Sequence, residues 1–432
     1  MGGAILIDDI FRAAENVADE AEVFFARTEA ISADLKQDKI AIGSKSSGSG
    51  IIIRIIKDGK IGVSCTDNPQ TWKRCLDAAC ASAKFADPLT WKGLPEPADV
   101  DKRPLALDKR IKTDPYLVTD IISQLKAGSE AYKADITSGS ASVAISSHTI
   151  ANSNGLNYST TGTQVHVSLE MIAGQSTGYE SDNSWNLDQI NPQETGEKAS
   201  FFAAKGQGGE EIETKTYDVI LSPMAVSQLL DAAIIPALSG RNVHTGRSVF
   251  AGKVGDYVAG EYISLIDDPM DPRGVANSAW DGEGMPVKKN PFIENGVLRS
   301  FAYDLRTAYR YDETPTASAV RTGQSGAPAI GNHNLILSGP EFDIFEDKAL
   351  FVHDLIGAHT ANPMSGDFSV ELSSPFFAYD GELQEPVRTG MMSGNIFEIL
   401  YRIQGCSKET RTLGSVIVPS VRLSDIAIIG RG

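Results

Sequence analysis

The sequence is poor in cysteine, in basic residues and in long apolar runs, and each shortage excludes a class of protein. Four cysteines among 432 residues are too few for a disulfide framework, and they fit a reducing compartment. No apolar run approaches the roughly 20 residues that cross a bilayer, and the N-terminus lacks the basic and apolar segments of a signal peptide. We therefore expect a cytoplasmic protein without a membrane span.

The shortage of basic residues leaves the chain strongly acidic. Lysine and arginine together number 39 and aspartate and glutamate 56, which gives a formal net charge of −17. Nucleic acids and anionic membrane surfaces both favour a positive protein face, so we expect neither as a partner. The hydrophobic and charged fractions, 41% and 22%, are typical of globular proteins, and the length predicts two domains.

Turn signals between short β-type runs are abundant, most densely between residues 240 and 304. Asn295-Gly296 separates two apolar runs and predicts a type I′ hairpin, because both central residues of that turn need positive φ. The two glycines of Asp281-Gly282-Glu283-Gly284 predict a tight acidic turn. Asp58-Gly59 and Asn154-Gly155 predict further hairpins, so the chain is rich in antiparallel β-structure.

The remaining patterns predict an α+β fold with two domains. Helical periodicity covers residues 68–85 and 192–204, whereas the run SKSSGSG at 44–50 and the polar run YESDNSWN at 179–186 are expected to be loops. We predict an N-terminal antiparallel sheet with covering helices and a mostly β, barrel-like C-terminal domain. The glycine cluster at 206–209 places the boundary, which gives domains 1–207 and 208–432.

One predicted helix begins the second domain. Ser222 can cap it, and Pro223 is tolerated at its first position. Its apolar residues recur at helical spacing: Val226, Leu229, Leu230, Ala233, Ile234, Ala237 and Leu238. Pro236 should kink or shorten the helix because proline removes a backbone donor, and Gly240 should end it.

Ordered motifs in the second half resemble one known family. They are IDDP at 266–269, DGEG at 281–284, IENGVLRSFAYDLRTA at 293–308, Arg321, Gly331-Asn332, SGDFS at 365–369 and YDGE at 379–382. In this order they resemble the C-terminal domain of the TldD/TldE (PmbA) family, and the N-terminal third agrees more loosely. The resemblance covers essentially the whole chain.

The resemblance decides what the helix at 222–238 implies. In that family a TldD-type subunit carries a His-Glu-x-x-x-His helix and a later cysteine that bind zinc for peptide hydrolysis. The three helical positions fall here on Asp231, Ala232 and Pro236. Alanine and proline offer no ligand atom, and one aspartate cannot hold a zinc ion that needs three protein ligands. Cys406 lies near the position of the third ligand and remains a weak candidate.

The resemblance therefore implies a TldE/PmbA-type subunit with no catalytic residue and no cofactor of its own. Its expected partner is a TldD-type chain that holds the zinc in a heterodimer, with a homodimer as the form in the partner's absence. The expected substrates are unfolded or small peptides, and this chain would help to shape the cleft.

Two other functions remain open on the sequence. One is an independent metallohydrolase with a relocated metal site, in which Cys406 works with a histidine close in space. The other is a regulatory binding module, linked to the family's label as a modulator of DNA gyrase. Stoichiometric metal on the isolated chain would favour the first, and tight gyrase binding the second.

Several other residues could carry chemistry but have plainer interpretations. His353-Asp354 and His359 are spaced too irregularly for one helix face. Asp267, Asp268 and Asp271 lack the full pattern of a cation loop and fit capped turns. Asp281 and Glu283 are a carboxylate pair, structural groups or residues of a subunit contact, and the sequence does not decide among the three. Ser176 lies in a Gly-x-Ser-x-Gly string, but no helical pattern follows it, as a nucleophile elbow requires.

Overall fold

The computed structural model describes residues 2–323 and 326–430, and its first six strands form one antiparallel sheet. The strands are β1 (Glu20–Lys36), β2 (Lys39–Lys57), β3 (Lys60–Thr66), β4 (Asp135–Asn152), β5 (Asn157–Ala173) and β6 (Ser176–Ser184). Their order across the sheet is β3-β2-β1-β4-β5-β6. The N-terminal antiparallel sheet predicted from the hairpin signals is confirmed.

Four helices cover one face of this sheet: α1 (Gly2–Ala14), α2 (Trp72–Lys84), α3 (Pro115–Ser129) and α4 (Pro192–Lys205). Side chains alternate between the faces of a strand. On β1, Val23 and Ile31 point to the helices, whereas Phe24 and Ala26 point to the other face. There Phe24 and Ala26 share a core with Trp280 from the second half of the chain. The uncovered face is therefore one of the places where the two halves meet.

The second half contributes strands that are shorter on average. They are β7 (Lys215–Leu221), β8 (Ser264–Asp267), β9 (Asn290–Glu294), β10 (Val297–Leu298), β11 (Ala319–Val320), β12 (Ala329–Ile330), β13 (Leu335–Ser338), β14 (Ala349–Ile356), β15 (Asp367–Tyr379), β16 (Glu382–Pro386), β17 (Gly390–Asn395), β18 (Ile403–Leu413) and β19 (Val416–Gly430). Five of them close a ring in the order β7-β14-β15-β17-β19, because β19 pairs with β7 as well as with β17. The prediction of a mostly β, barrel-like domain is confirmed.

Short helices fill and flank the barrel: α5 (Pro223–Leu229), α6 (Ile235–Leu238), α7 (Gly240–His244), α8 (Leu305–Tyr311) and α9 (Ile396–Arg402). A π-helical turn, Leu230–Ile234, joins α5 to α6. The described residues also contain three short 3₁₀ segments: Pro69–Thr71, Leu187–Gln189 and Ala358–Thr360. Residues of α5 and α6 belong to the same apolar core as β7, β14 and β19.

The turn predictions hold where the residue type determines the backbone angle. Asn295 and Gly296 have φ of 49° and 78°, and β9 and β10 pair antiparallel around them. Asp58 and Gly59 have φ of 50° and 69° between β2 and β3. Both pairs therefore form the positive-φ hairpin turns that the sequence predicts.

The two loop predictions are wrong. The run at 44–50 lies inside β2, where Ser44 pairs with Ser32 and Gly50 with Ala26. The continuous ladder to β1 outweighs the low strand preference of serine and glycine. The run at 179–186 lies largely in β6, an edge strand beside β5. Its polarity misled the prediction because Glu180 is buried there against Arg411 rather than exposed in a loop.

The predicted boundary between residues 207 and 208 falls between α4 and β7 and stays a prediction. None of the helices in the described ranges has the length and apolar character that a bilayer-spanning helix needs.

Candidate functional site

The helix at 222–238, on which the resemblance predicts the ligand positions, changes its geometry at the π turn Leu230–Ile234. Ser222 caps it, since its Oγ accepts hydrogen bonds from the N–H groups of Met224 and Ala225 at 3.1 and 3.3 Å. After α5 the chain enters the π turn, in which the N–H of Ile235 donates to the carbonyl of Leu230, five residues back. Asp231 and Ala232 lie inside this wider turn.

Pro236 gives a physical reason for the π turn. In an α-helix its ring would press on the carbonyl four residues earlier, and it has no N–H to donate. Widening the preceding turn moves that carbonyl away from the ring. The helix therefore continues past Pro236 to Leu238. Pro236 does not shorten it, which was one of the two effects expected from the sequence. Gly240 follows at the start of α7, where a Cβ would lie only 2.1 Å from the ring of Tyr303.

The π turn borders a cavity of about 320 Å³. A π turn holds more residues per turn than an α-helix, so residues five apart approach one face. Asp231 and Pro236 accordingly both line the cavity, whereas Ala232 does not. The Asp231 side chain is exposed to solvent, yet the nearby protein partly desolvates it and raises its carboxyl pKa. One carboxylate here does not make a zinc site, which takes three protein ligands.

Cys406 lies outside this cavity. It stands on β18 opposite Val421 of β19 and is 2% exposed. Burial, together with the nearby charge of Glu341, raises the pKa of its thiol to about 11. Zinc binds the thiolate, so a thiol that stays protonated is a poor ligand. Within residues 2–323 and 326–430, no three His, Cys, Asp or Glu side chains are grouped to hold a metal ion.

We expect this difference to appear in alkylation. Iodoacetamide near neutral pH should modify Cys65, which is exposed, and leave Cys406 unmodified while the chain is folded, because both burial and a raised pKa suppress the reactive thiolate. Peptide mapping by mass spectrometry measures both sites in one sample. The urea-unfolded chain is the control, in which the two rates should converge. Equal rates in the folded chain would contradict the assigned environment of Cys406.

The other candidate residues are separated or structurally occupied. His353 is buried, with its Nε2 2.9 Å from the carbonyl oxygen of Tyr179, whereas His359 is exposed in the Ala358–Thr360 segment. Asp267 accepts the N–H groups of His333 and Asn334 at 2.9 and 2.8 Å. In the described ranges, neither the two histidines nor Asp267 belongs to a group of side chains that could hold a metal ion.

The neighbouring acidic residues and Ser176 are occupied in the same way. Asp268 accepts the N–H of Met270 at 3.1 Å, and Asp271 accepts that of Arg273 at 3.0 Å. These are the capped turns that the sequence favours. Ser176 begins β6, and its Oγ donates to the carbonyl of Phe202 at 3.4 Å. Because a strand follows it and not a helix, it does not form a nucleophile elbow.

Asp281 and Glu283 are structural groups at the junction of the two halves. Asp281 accepts three backbone N–H groups, from Glu283, Met285 and Ala319, at 2.9, 2.9 and 3.1 Å. Burial raises the pKa of Asp281, and burial with the nearby charges of Asp304 and Asp281 raises that of Glu283 to about 7 against the opposing effect of Arg54. Both side chains are almost fully buried, so they do not form an open catalytic pair.

Glu283 belongs to a buried ion network that the sequence reasoning missed. Glu22 of β1 bridges two arginines, with 2.5 Å to Nη2 of Arg54 and 2.5 Å to Nη2 of Arg321. Arg54 also pairs with Glu283, whose other oxygen accepts the N–H of Leu305 at 2.7 Å. Desolvation opposes the charge on Arg54, but the two carboxylates outweigh it and raise its pKa. An arginine inside the run IIIRIIK was the available signal, because such a buried charge needs a partner.

Comparison with known proteins supplies three family matches in chain order. They are PmbA/TldA metallopeptidase domain 1 over residues 21–83, the central domain over 111–206 and the C-terminal domain over 214–430. An uncharacterized protein of Methanocaldococcus jannaschii is 30% identical over 421 residues, which cover 96% of this chain and 98% of the relative.

Solved structures agree over the same length. The crystal structure of TldE from Thermococcus kodakarensis matches with a TM-score of 0.90 at 27% identity, covering 98% of this chain and 100% of the other. A Thermotoga maritima structure described as a putative modulator of a DNA gyrase matches with a TM-score of 0.84 at 22% identity, covering 98% and 99%. At that identity the second match shows a likeness of fold alone.

Proposed function

The chain belongs to the PmbA/TldD family of metallopeptidases and is of its TldE/PmbA type, and on that premise we propose that it is the non-catalytic subunit of a zinc peptidase complex. The observation that carries the proposal is the sequence of the helix at 222–238, where the resemblance places Asp231, Ala232 and Pro236 at the ligand positions. A zinc peptidase needs three protein ligands and an open position for water. This helix supplies one carboxylate, in a turn that has lost α-helical spacing.

The proposed partner is a TldD-type chain that carries the zinc. In such a pair this chain contributes walls to the chamber and excludes folded proteins, so that geometry limits the substrates to unfolded or small peptides. Without the partner, we propose that the chain pairs with a second copy of itself. The acidic net charge of −17 disfavours nucleic acid as the bound polymer.

A free strand edge supports peptide binding. Residues 40–50 of β2 pair with β1 on one side, whereas β3 covers β2 only from Ile51 to Lys57. Across the described ranges no strand pairs with the other edge of residues 40–50. An extended peptide can add to such an edge through backbone hydrogen bonds, which read little of its sequence.

Reconstitution tests the proposal directly. The chain, a TldD-type partner and the co-expressed pair are purified, and bound zinc and hydrolysis of an unfolded peptide are measured for each. We expect zinc with the partner and the pair, the highest hydrolysis with the pair, and loss of that hydrolysis on adding a chelator. A pair whose partner has lost the first histidine of its metal helix is the matched control, and it should be inactive.

The alternatives give different results in the same experiment. Stoichiometric zinc on the isolated chain, with chelator-sensitive hydrolysis, would replace the proposal with an independent metallohydrolase. Failure to associate with any TldD-type chain, together with tight binding to purified gyrase, would replace it with a regulatory module. That last alternative rests on the description of a fold neighbour and therefore carries less weight.

A further inference from the structure

The cavity beside the π turn holds a carboxylate with no partner of its own. Across the described residues, the Asp231 side chain has neither a salt bridge nor a hydrogen bond, although it lines the cavity. Its raised pKa has desolvation as its cause, with no neighbouring cation to oppose it. Because this carboxylate is exposed, a positively charged donor can reach it and form a charge-assisted hydrogen bond, which is stronger than a neutral one.

The other polar groups of the cavity also present acceptors. The side-chain amide nitrogen of Asn242 donates to the carbonyl of Pro236 at 2.8 Å, and that of Asn332 donates to the carbonyl of Ser415 at 2.7 Å. Both asparagines line the cavity, and among the described residues neither amide oxygen accepts a hydrogen bond, so both oxygens are available as acceptors. Two amide oxygens and a carboxylate favour a ligand with several N–H donors.

The rest of the wall is apolar. Its apolar side chains include Ile235, Pro236, Leu238, Phe292, Ile330 and Leu335, and Ser239 is the remaining polar side chain. An apolar wall that ends in a carboxylate matches an alkyl stem that ends in a cation, which is the chemistry of lysine and arginine side chains. The net charge of −17 adds a long-range attraction for basic peptides.

We propose that this cavity binds a basic side chain of an extended peptide, with Asp231 as the partner of its positive charge. The inference rests on the proposed function in that it names a preferred substrate class, peptides with lysine or arginine, for the same complex. The position that holds a zinc ligand in the sister subunit then serves here to recognise a side chain. The alkyl stem lies against Ile235 and Phe292, and the charged end reaches Asp231 and the two amide oxygens.

Two blocked peptides test the site on the isolated chain. N-acetyl-Ala-Lys-Ala-amide carries the charged stem, and N-acetyl-Ala-norleucine-Ala-amide carries the same stem without the charge. Calorimetric titration should show the lysine peptide binding at least about tenfold more tightly than the norleucine peptide, as a charge-assisted hydrogen bond allows. Asp231→Asn should abolish that difference and leave the norleucine affinity unchanged. Asp256→Asn, at an exposed acid outside the cavity, is the matched control and should behave like the parent.

The outcomes separate this site from the subunit role. Equal affinities for the two peptides, an unchanged lysine preference in Asp231→Asn, or no binding of the lysine peptide would each overturn the site. None of these results bears on zinc content or complex formation, which the reconstitution measures with the partner present. Conversely, a chain that fails to pair with a TldD-type partner would still show the lysine preference if the cavity binds as proposed.

Discussion

Replacing Arg54 with methionine is expected to lower the free energy of unfolding by about 3–5 kcal/mol. Arg54 is 2% exposed, and its two carboxylate partners, Glu22 and Glu283, are each 1% exposed. Removing the guanidinium leaves two buried acids with Arg321 as the remaining cation of the network. An unpaired buried charge is costly because the protein interior solvates it poorly.

Because the ion network joins the two halves of the chain, its loss should affect the stability of the whole protein. Glu22 and Arg54 belong to the N-terminal sheet, whereas Glu283 and Arg321 belong to the second half of the chain. The ion pairs therefore join the two halves beside the shared core of Phe24 and Trp280. Loosening this contact should reduce the cooperativity between the halves as well as the total stability.

Urea unfolding followed by circular dichroism measures the loss. Arg27→Met is the matched control on the neighbouring strand, because Arg27 pairs with Glu29 where both side chains are exposed and such a pair contributes at most about 1 kcal/mol. Adding Glu283→Gln to the Arg54→Met chain should recover part of the loss, since it removes one of the stranded charges. A loss below about 1 kcal/mol for Arg54→Met, similar to that of Arg27→Met, would show that the network contributes little.

Local chemistry explains why parts of the fold could be predicted. Asn295-Gly296 forms its turn because the two residues tolerate positive φ, and this needs no information from distant residues. The same holds for the start of α5, which Ser222 and Pro223 determine together. The serine and glycine residues at 44–50 are the opposite case. Their strand depends on the ladder to β1, and no local preference reveals a partner that is distant in sequence.

The candidate site also has features that the sequence predicts and features that it does not. The identities of Asp231, Ala232 and Pro236 already argue against a zinc helix, because ligand chemistry belongs to the residue type. The cavity beside them could not be predicted, since Phe292, Ile330 and Asn332 come from separate segments that meet only in the folded chain. Only one half of the Arg54 network, the need for a buried partner, could be predicted from the sequence. The arginine inside an isoleucine run predicts a buried partner, but not that one partner is Glu283, 229 residues away.

Replacing Gly196 with alanine is expected to lower the free energy of unfolding by about 3 kcal/mol, near the upper end of losses from overpacking. Gly196 lies where α4 crosses α3, and a Cβ there would stand 2.1 Å from the carbonyl oxygen of Leu125. Gly128 on α3 is equally close, with a Cβ position 1.8 Å from the carbonyl oxygen of Gln193. Both obstacles are backbone atoms, which cannot rotate away as a side chain could, so the helices must separate.

Whether Gly196→Ala lowers or raises the free energy of unfolding distinguishes the effect of packing from that of helix preference. Alanine favours a helix interior by about 1 kcal/mol over glycine, so a helix free to adjust would be stabilised by the change. A gain in stability for Gly196→Ala would therefore contradict the close crossing. Gly43→Ala, whose Cβ would meet nothing within 4 Å, is the control and should change the free energy of unfolding by less than about 0.5 kcal/mol.

The double variant Gly128→Ala with Gly196→Ala tests whether one contact is involved. If the two glycines serve a single helix crossing, the second substitution should cost less than it does alone, because the helices have already moved apart. The displacement should also reach a second contact between the two halves, since Phe202 of α4 stacks on His353 of β14 with ring centroids 3.9 Å apart. Full additivity of the two losses in thermal unfolding would mean that each glycine meets an independent obstacle.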